Sequence, residues 1–405
     1  MTRVDNAAQH ARAWLGRRGA FAVVAYAFAI TMLGTTLPTP LYDLYRQKFG
    51  FSVLMITVIF ATYALGVIVA LVLFGRLSDE IGRRRALLPG LALSALSALA
   101  FLVADGLAPL LVGRMLSGLS AGIFTGTATA TLVDLADPAR RGRATLVATL
   151  VNMGGLGCGP LLAGVLSQYA GSALRLSFIA DLVLLVPAAV GVWAMPEPVQ
   201  VSSRPRLRPQ GLHVPAELRA TFLRAALAGF AGFAVLGLFT AVAPAFLGQV
   251  LDVKSHATVG LVVFVVFAAS AAGQLSLERV PQHVALPAGC LALIVGMGLL
   301  ALGLADSSLT LLIAGGMVAG FGQGLSFRSG LAAVNEESPA DRRAEVASSF
   351  FVVAYVAISI PVVGEGLLAQ GAGLRAAGLV FAGVVATLAA TVLGLLVRAR
   401  KVPKG

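Results

Sequence analysis

Twelve long apolar runs alternate with short polar segments along this 405-residue chain. Each run is long enough to cross a bilayer, because a spanning α-helix needs roughly 20 apolar residues. Backbone N–H and C=O groups find no water in lipid, so each run must be helical. We number the predicted spans 1 to 12 at residues 20–42, 51–74, 86–104, 108–133, 144–168, 173–195, 222–250, 257–277, 284–304, 308–333, 345–368 and 373–397. The sequence therefore predicts an all-α membrane protein.

The composition excludes a water-soluble enzyme. Hydrophobic residues make up 58% of the chain and charged residues only 12%, whereas soluble domains carry about 25% charged residues. The net charge of +12 does not indicate a nucleic-acid partner, because the basic residues form short clusters between the spans. Cys158 and Cys290 lie inside apolar runs, which argues against a disulfide or a metal site. We expect no metal, no cofactor and no nucleic-acid partner.

The basic residues predict the orientation in the membrane. Most of the 30 Lys and Arg residues lie in the two tails and in every second loop. The alternate loops hold only Arg46, Lys48, Arg175, Lys254 and Arg375. Cytoplasmic loops carry an excess of Lys and Arg, so we expect a multi-pass protein of the inner (cytoplasmic) membrane with both termini in the cytoplasm.

A long polar segment divides the chain into two related halves. We expect a tail at 1–19, a six-helix half at 20–196, a cytoplasmic linker at 197–220, a second half at 221–398 and a tail at 399–405. The halves correspond, since Pro138 and Pro160 recur at the same separation as Pro339 and Pro361. Paired halves with a substrate site at their interface are typical of secondary transporters.

The loop after span 2 reads GRLSDEIGRRR. Its glycines permit a tight turn and close helix approach. The loop resembles the G-x-x-x-D-R-x-G-R-[RK] motif between helices 2 and 3 of the major facilitator superfamily, although Glu80 stands where that family usually has Arg. The matching residues are Gly75, Asp79, Gly82, Arg83 and Arg84.

This resemblance implies two pseudo-symmetric six-helix halves that alternate between two openings. Spans 1, 4, 7 and 10 would line the cavity, and spans 2, 5, 8 and 11 would form the interface between the halves. The resemblance also implies that Asp134 pairs with Arg83 or Arg84. Asp79 is expected to stabilise the outward-facing state by bridging to the start of span 11.

Two further motifs lie within spans. In span 4, Arg114, Gly118, Gly122 and Gly126 are four residues apart and so share one helix ridge. The ridge predicts close helix packing and turns Arg114 into the bundle. The segment is similar to the family's R-x-x-Q-G-x-G-A motif, with Ser117 in place of Gln.

Span 5 carries the second motif, GLGCGPLLAG. The residues alone predict a bent, closely packed helix. They are also similar to the G-x-x-x-G-P-x-x-G-G motif of the family's antiporters, with Ala163 in place of one Gly. The matching positions are Gly155, Gly159, Pro160 and Gly164. The resemblance implies a drug/proton antiporter.

Ionisable residues inside spans are costly and usually functional. A buried guanidinium should have a carboxylate or several carbonyls nearby, and we expect Arg114 to pair with Asp43, Asp181 or Glu365 and so to couple transport to protons. The alternative is that Asp43 marks a helix exit to water and that the other two acids are hydrated. Asn152 and Gln323 are further candidates for the cavity.

The few amides and the 21 Phe residues favour a lipophilic substrate over a sugar. We therefore predict proton-coupled export of lipophilic small molecules by a monomer. The energy would come from the proton gradient. The alternative is an importer or facilitator of a small metabolite. A membrane enzyme is less favoured, because no nucleophile or metal-binding cluster is evident.

Overall fold

The computed structural model describes residues 15–75, 77–199, 201, 210–339 and 342–401, and these ranges contain helices and turns but no strand. The predicted all-α fold with twelve spans is confirmed. The spans are Arg17–Phe49, Val53–Phe74, Arg83–Leu102, Leu107–Leu135, Pro138–Tyr169, Ala173–Ala194, Ala216–Ala241, His256–Ser276, Gln282–Ala305, Leu309–Glu337, Arg343–Ala372 and Leu374–Ala399. The predicted tails 1–19 and 399–405 and the linker 197–220 lie partly outside the described residues.

Each half is organised around one long central helix. Span 4 packs against spans 1, 2 and 3, and span 10 packs against spans 7, 8 and 9. The halves meet where span 5 packs against span 8 and where span 2 packs against span 11. This is the predicted interface between two pseudo-symmetric halves.

Spans 1 and 7 are interrupted near the same end of the bundle. In span 1 the helix Arg17–Thr36 is followed by a 3-10 turn at Thr39–Leu41 and the short helix Tyr42–Phe49. In span 7 the helix Arg219–Ala241 is followed by Ala243–Ala245 and a π-helical turn at Phe246–Val250. Prolines at the breaks remove backbone donors. The predicted continuous helices are wrong at these points.

Span 11 is also divided, into helices Arg343–Ala357 and Ile360–Ala372. Pro361 lies just inside the second helix, where a missing N–H costs nothing. The prediction of one continuous helix at 345–368 is therefore wrong. The corresponding Pro160 stays inside the unbroken helix Arg141–Tyr169, so the two related prolines have different effects.

The two ends of the bundle differ in charge. We call the end at which spans begin at Arg17, Arg83 and Arg343 the arginine-rich end. The opposite end is the one at which span 2 begins at Val53 and span 8 begins at His256.

Candidate functional site

A wide vestibule of about 550 Å³ enters the bundle from the arginine-rich end. Both halves line it: Asp134 and Thr149 lie on one wall, and Arg328 and Asn335 lie on the other. It narrows into a chamber of about 80 Å³ at the centre of the molecule. The two spaces adjoin each other and share the lining residues Thr125, Asn152, Phe327, Phe351 and Tyr355.

Aromatic side chains dominate the walls of the chamber. Phe233 and Phe327 pack with ring centroids 5.0 Å apart, and Tyr63 meets Tyr355 edge to face at 6.4 Å. The predicted spans 1, 4, 7 and 10 contribute, but spans 2, 5, 8 and 11 line the chamber as well. The sequence analysis missed the full aromatic set, which is Phe60, Tyr63, Phe233, Phe267, Phe327, Phe351 and Tyr355.

Among the described residues that line the chamber, Arg114 is the only charged one, and it is 1% exposed. Its Nη1 donates to the carbonyl oxygen of Thr35 at 2.5 Å. Its guanidinium carbon lies 4.5 Å from the ring centroid of Tyr63 and 5.4 Å from that of Phe60. Its Nε has no hydrogen-bond partner.

The predicted carboxylate partner of Arg114 is absent from this conformation. None of the ion pairs between described residues involves Arg114. The guanidinium is held instead by one carbonyl and by the electron-rich faces of two rings, an interaction that strengthens when water is excluded. The chamber therefore holds a positive charge with no adjacent negative one.

The glycine ridge of span 4 explains how Arg114 reaches these rings. A side chain on Gly118 would overlap the carbonyl of Tyr63, and one on Gly122 would overlap Ala70. Spans 2 and 4 therefore touch through backbone, which brings Arg114 onto the aromatic face of span 2. The predicted packing role of Gly126 is wrong in this conformation, because nothing lies within 4 Å of its Cβ position and it faces the vestibule.

The glycines of span 5 serve two different contacts. Gly155 and Gly159 face the backbone of span 1 within the same half. Gly164 faces His256, and Pro160 faces Gly260, both in span 8 of the other half. We call this second contact the span 5–span 8 seam. At the seam, the two halves touch through backbone atoms.

The three candidate acids lie outside the chamber. Asp43 forms a half-exposed ion pair with Arg46 at 2.8 Å, as a helix exit would. Asp181 is 2% exposed and lies against Gly34, with one oxygen unpartnered. Glu365 is also 2% exposed, and neither of its oxygens has a partner. Asp181 and Glu365, the two acids within spans, are buried from solvent. The alternative that they are hydrated is therefore wrong for this conformation.

The two amide candidates differ in position. Asn152 lines both the vestibule and the chamber. Gln323 is fully buried behind the wall, where it packs against Gly232 and accepts a hydrogen bond from Ser270 at 2.5 Å. Gln323 is not among the residues that line either space, because span 7 covers it.

Arg83 holds the loop after span 2 together. Its guanidinium contacts Asp79 at 2.6 Å, Ser78 at 2.7 Å and Asp134 at 2.9 Å. These contacts all lie within one half. The bridge from Asp79 to the start of span 11 stays a prediction, since it belongs to the conformation in which this end is closed.

Glu197 completes this loop and was missed by the sequence analysis. Its carboxylate accepts hydrogen bonds from the backbone N–H groups of Arg83, at 2.6 Å, and Arg84, at 3.1 Å, at the start of span 3. Burial raises the pKa of Glu197, and these N–H donors partly oppose that rise. Gly82 has a φ of +101°, and a side chain there would overlap Glu197, so the position requires glycine.

The opposite end of the bundle is closed. Gln370 donates to Ser52 at 3.1 Å, and Gly366 lies against Thr57, so span 11 covers span 2. The backbone N–H of His256 donates to Gln168 at 2.9 Å beside the span 5–span 8 seam. The molecule therefore has one open end, one closed end and a chamber between them.

Comparison with solved structures supports this architecture. A bacterial homologue of the human lysosomal transporter Spinster, solved in an inward-facing and unoccupied conformation, superimposes with a TM-score of 0.71 at 15% identity over 96% of this chain and 99% of that one. The human organic anion transporter MFSD10 (TETRAN) gives a TM-score of 0.66 at 18% identity over 94% and 100%. At these identities the likeness concerns the fold.

Sequence relatives match shorter segments. The cephamycin export protein CmcT of Amycolatopsis lactamdurans is 30% identical over 50% of this chain and 41% of its own length. The putative multidrug resistance protein MdtD of Enterobacter sp. is 28% identical over 43% and 37%. The quinolone resistance protein NorA of Staphylococcus aureus is 23% identical over 40% and 44%. The aligned part of this chain spans less than half the length of each of these relatives.

The sequence model of the Major Facilitator Superfamily matches residues 20–360. The match covers most of both halves, and it agrees with the twelve spans and with the chamber between the halves. The chain belongs to the Major Facilitator Superfamily and is a multi-pass membrane protein.

Proposed function

We propose that this protein is a proton-coupled exporter of lipophilic small molecules. The observation that carries the proposal is the chamber wall, which combines aromatic rings with a single guanidinium. Such a wall offers a large apolar contact area, as sites for lipophilic ligands do. The threonine hydroxyls that also line it already donate to backbone carbonyls, which leaves few free donors; these threonines are Thr35, Thr36, Thr125 and Thr240. A sugar or other polyhydroxylated solute would leave most of its hydroxyl groups unpaired there.

The relatives support the same substrate class. Their names refer to export of cephamycin, to multidrug resistance and to quinolone resistance. Arg114 supplies one strong donor, which would orient a substrate that has an acceptor group. Asn152 is the amide among the described residues that lines both vestibule and chamber, and it would contact a substrate that passes from one to the other.

We place the arginine-rich end in the cytoplasm of an inner membrane, on the distribution of Lys and Arg. The open vestibule then receives substrate from the cytoplasm or the inner leaflet. Rocking of the halves would close the vestibule, separate spans 2 and 11 at the opposite end and expose the chamber to the outside. The proposed working unit is a monomer with a cytoplasmic linker at 197–220.

We assign proton coupling to Glu365. This buried carboxyl lies in the segment of span 11 that covers span 2, whereas Asp181 is buried between spans 1 and 6 of one half. A buried carboxyl without a hydrogen-bond partner is stable only while it holds its proton. Separation of the halves would hydrate Glu365 and let it take up a proton from the outside, and closure would bury the carboxyl with that proton. Release to the cytoplasm when substrate binds would then move the proton inward as the substrate moves outward.

Transport by the purified chain in proteoliposomes tests the proposal. A lipophilic fluorescent dye and a pH-sensitive dye are followed together after a proton gradient is imposed. We expect uphill movement of the lipophilic dye, opposite in direction to the proton flux, and loss of both signals with a protonophore. Dye movement without any proton flux would exclude coupling.

A facilitator or importer of a small metabolite is the second candidate. One observation favours it: no carboxylate is among the described residues that line the chamber. Substrate exchange that persists at full rate without a proton gradient, in both directions, would establish this alternative.

A further inference from the structure

A second cavity, of about 430 Å³, lies at the arginine-rich end, away from the transport path. It is formed by the start of span 1, the end of span 4 and the start of span 5. Its polar rim contains four arginines, Arg17, Arg18, Arg140 and Arg143. We call it the arginine pocket, and we propose that it binds the phosphate headgroup of an anionic phospholipid.

The charges in the arginine pocket are unbalanced. Among the described residues that line it, Asp137 is the only carboxylate. Arg17 donates to the carbonyl oxygen of Asp134 at 3.1 Å. No ion pair between described residues involves Arg18, Arg140 or Arg143. The pocket therefore presents more positive charge than its own residues neutralise.

The backbone adds to this positive potential. The helix of span 1 begins after Gly16 and that of span 5 begins after Arg140, and neither start has a side-chain cap. Both helix N-termini lie beside the pocket, and uncapped N-termini favour anions through their free N–H groups and the helix dipole. Guanidinium groups suit phosphate oxygens because they can donate two parallel hydrogen bonds.

The floor of the pocket is apolar, which favours a lipid over a free anion. Phe21, Leu135 and Val147 line it. Along the same face of span 5, Leu150 is 40% exposed, and nothing lies within 4 Å of the Cβ position of Gly154. An open apolar track therefore leads from the arginines along the helix toward the membrane core. A phospholipid has a headgroup for the rim and an acyl chain for this track.

Lipid binding to the purified full-length chain tests the assignment. The protein in detergent is titrated with dioleoyl phosphatidylglycerol and, in parallel, with dioleoyl phosphatidylcholine, and bound lipids are counted by native mass spectrometry. We expect the double variant Arg140→Gln/Arg143→Gln to bind phosphatidylglycerol about tenfold more weakly than the unchanged protein. Binding of phosphatidylcholine should not change.

The matched control is Arg224→Gln/Arg398→Gln, which removes the same charge from exposed or partly exposed positions at the same end. It should leave phosphatidylglycerol binding within about twofold, since it leaves the pocket intact. Arg140→Lys/Arg143→Lys should keep most of the affinity because it keeps the charge. An equal loss in both Gln double variants would overturn the assignment, since the effect would then be one of overall charge.

Two further measurements distinguish a bound anionic phospholipid from free phosphate and from a neutral phospholipid. Excess inorganic phosphate should not displace the lipid, and displacement would indicate a site for free phosphate instead. The fluorescence of a Leu150→Trp variant should be quenched more by brominated phosphatidylglycerol than by brominated phosphatidylcholine. This difference should vanish when Leu150→Trp is combined with Arg140→Gln/Arg143→Gln. Equal quenching by both lipids would contradict the proposed site.

Discussion

Tyr63 of span 2 and Tyr355 of span 11 meet edge to face across the boundary between the halves, with ring centroids 6.4 Å apart. Both rings line the chamber, and the other side of Tyr63 faces the guanidinium of Arg114. One aromatic pair thus touches the opposite half on one side and the buried positive charge on the other. Movement between the halves would change the environment of the charge in the same step.

Replacing Arg114 with Lys should lower the initial rate of transport by about tenfold, which corresponds to about 1.4 kcal/mol, because a buried, stacked guanidinium loses its planar geometry. Lys keeps the positive charge but loses the planar group that faces Tyr63 and bonds the Thr35 carbonyl. The rate is measured in proteoliposomes, normalised to the amount of protein. Arg375→Lys, at an exposed arginine that contacts Ser307, is the control and should transport normally. A fully active Arg114→Lys variant would show that charge alone suffices.

Replacing Glu365 with Gln should abolish proton release on substrate addition and make the transport rate independent of pH. Gln has nearly the same shape but cannot exchange a proton. The measurement is the pH change in weakly buffered detergent solution when substrate is added. Asp43→Asn, which removes a half-exposed acid paired with Arg46, should release protons as the unchanged protein does. Undiminished release from Glu365→Gln would transfer the coupling role to another group.

Replacing Gly260 with Ala should prevent closure of the end opposite to the arginine-rich end. The added Cβ would overlap the carbonyl of Pro160 in the span 5–span 8 seam. In a cysteine-free background, Ser52→Cys should then react faster with a membrane-impermeant thiol reagent, and transport should fall. Gly298→Ala is the matched control, because nothing lies within 4 Å of its Cβ position. If both alanine variants label and transport alike, the seam does not need its glycine.

Replacing Glu197 with Gln should flatten the pH dependence of thermal stability. Burial raises the pKa of Glu197 above its ordinary value of 4.5, so the folded state binds this proton more tightly than the unfolded state does. The contribution of Glu197 to stability is therefore full below pH 4.5 and falls as the pH rises through the folded pKa. Melting temperatures in detergent across this range measure the effect. Glu217→Gln, at an exposed acid, should keep the wild-type profile, and an equal change in both variants would remove Glu197 as the cause.

Local patterns were sufficient to predict the twelve spans and the interior position of Arg114. The lengths of the apolar runs predicted the spans. The four-residue spacing of Gly118 and Gly122 predicted the face on which span 4 packs. The aromatic wall was not predictable in this way. Phe233 and Phe267 lie in apolar runs in which a chamber-facing ring and a lipid-facing ring look alike, and only the packing of the helices distinguishes them.

Contacts distant in sequence account for the other differences. Glu197 caps the start of span 3 across more than a hundred residues, and no local motif marks that pairing. The cost of burying a charge predicts a carboxylate beside Arg114. In the structure, the guanidinium instead faces two aromatic rings of span 2, those of Phe60 and Tyr63. Pro361 lies in the first turn after the break in span 11, whereas the corresponding Pro160 lies inside the continuous helix of span 5.

The span 5–span 8 seam has a mechanical consequence. Side chains that interlock must change rotamer before two surfaces can slide, and each change adds a barrier. Gly164, Gly260 and the carbonyl of Pro160 have no rotamers to change. At the seam, the two halves can therefore slide past each other without a change of side-chain conformation. None of these three residues lines the chamber. Phe267 of the chamber wall packs against Gly157 of span 5. Substitutions at the other chamber aromatics can therefore alter what is carried without changing a contact between spans 5 and 8.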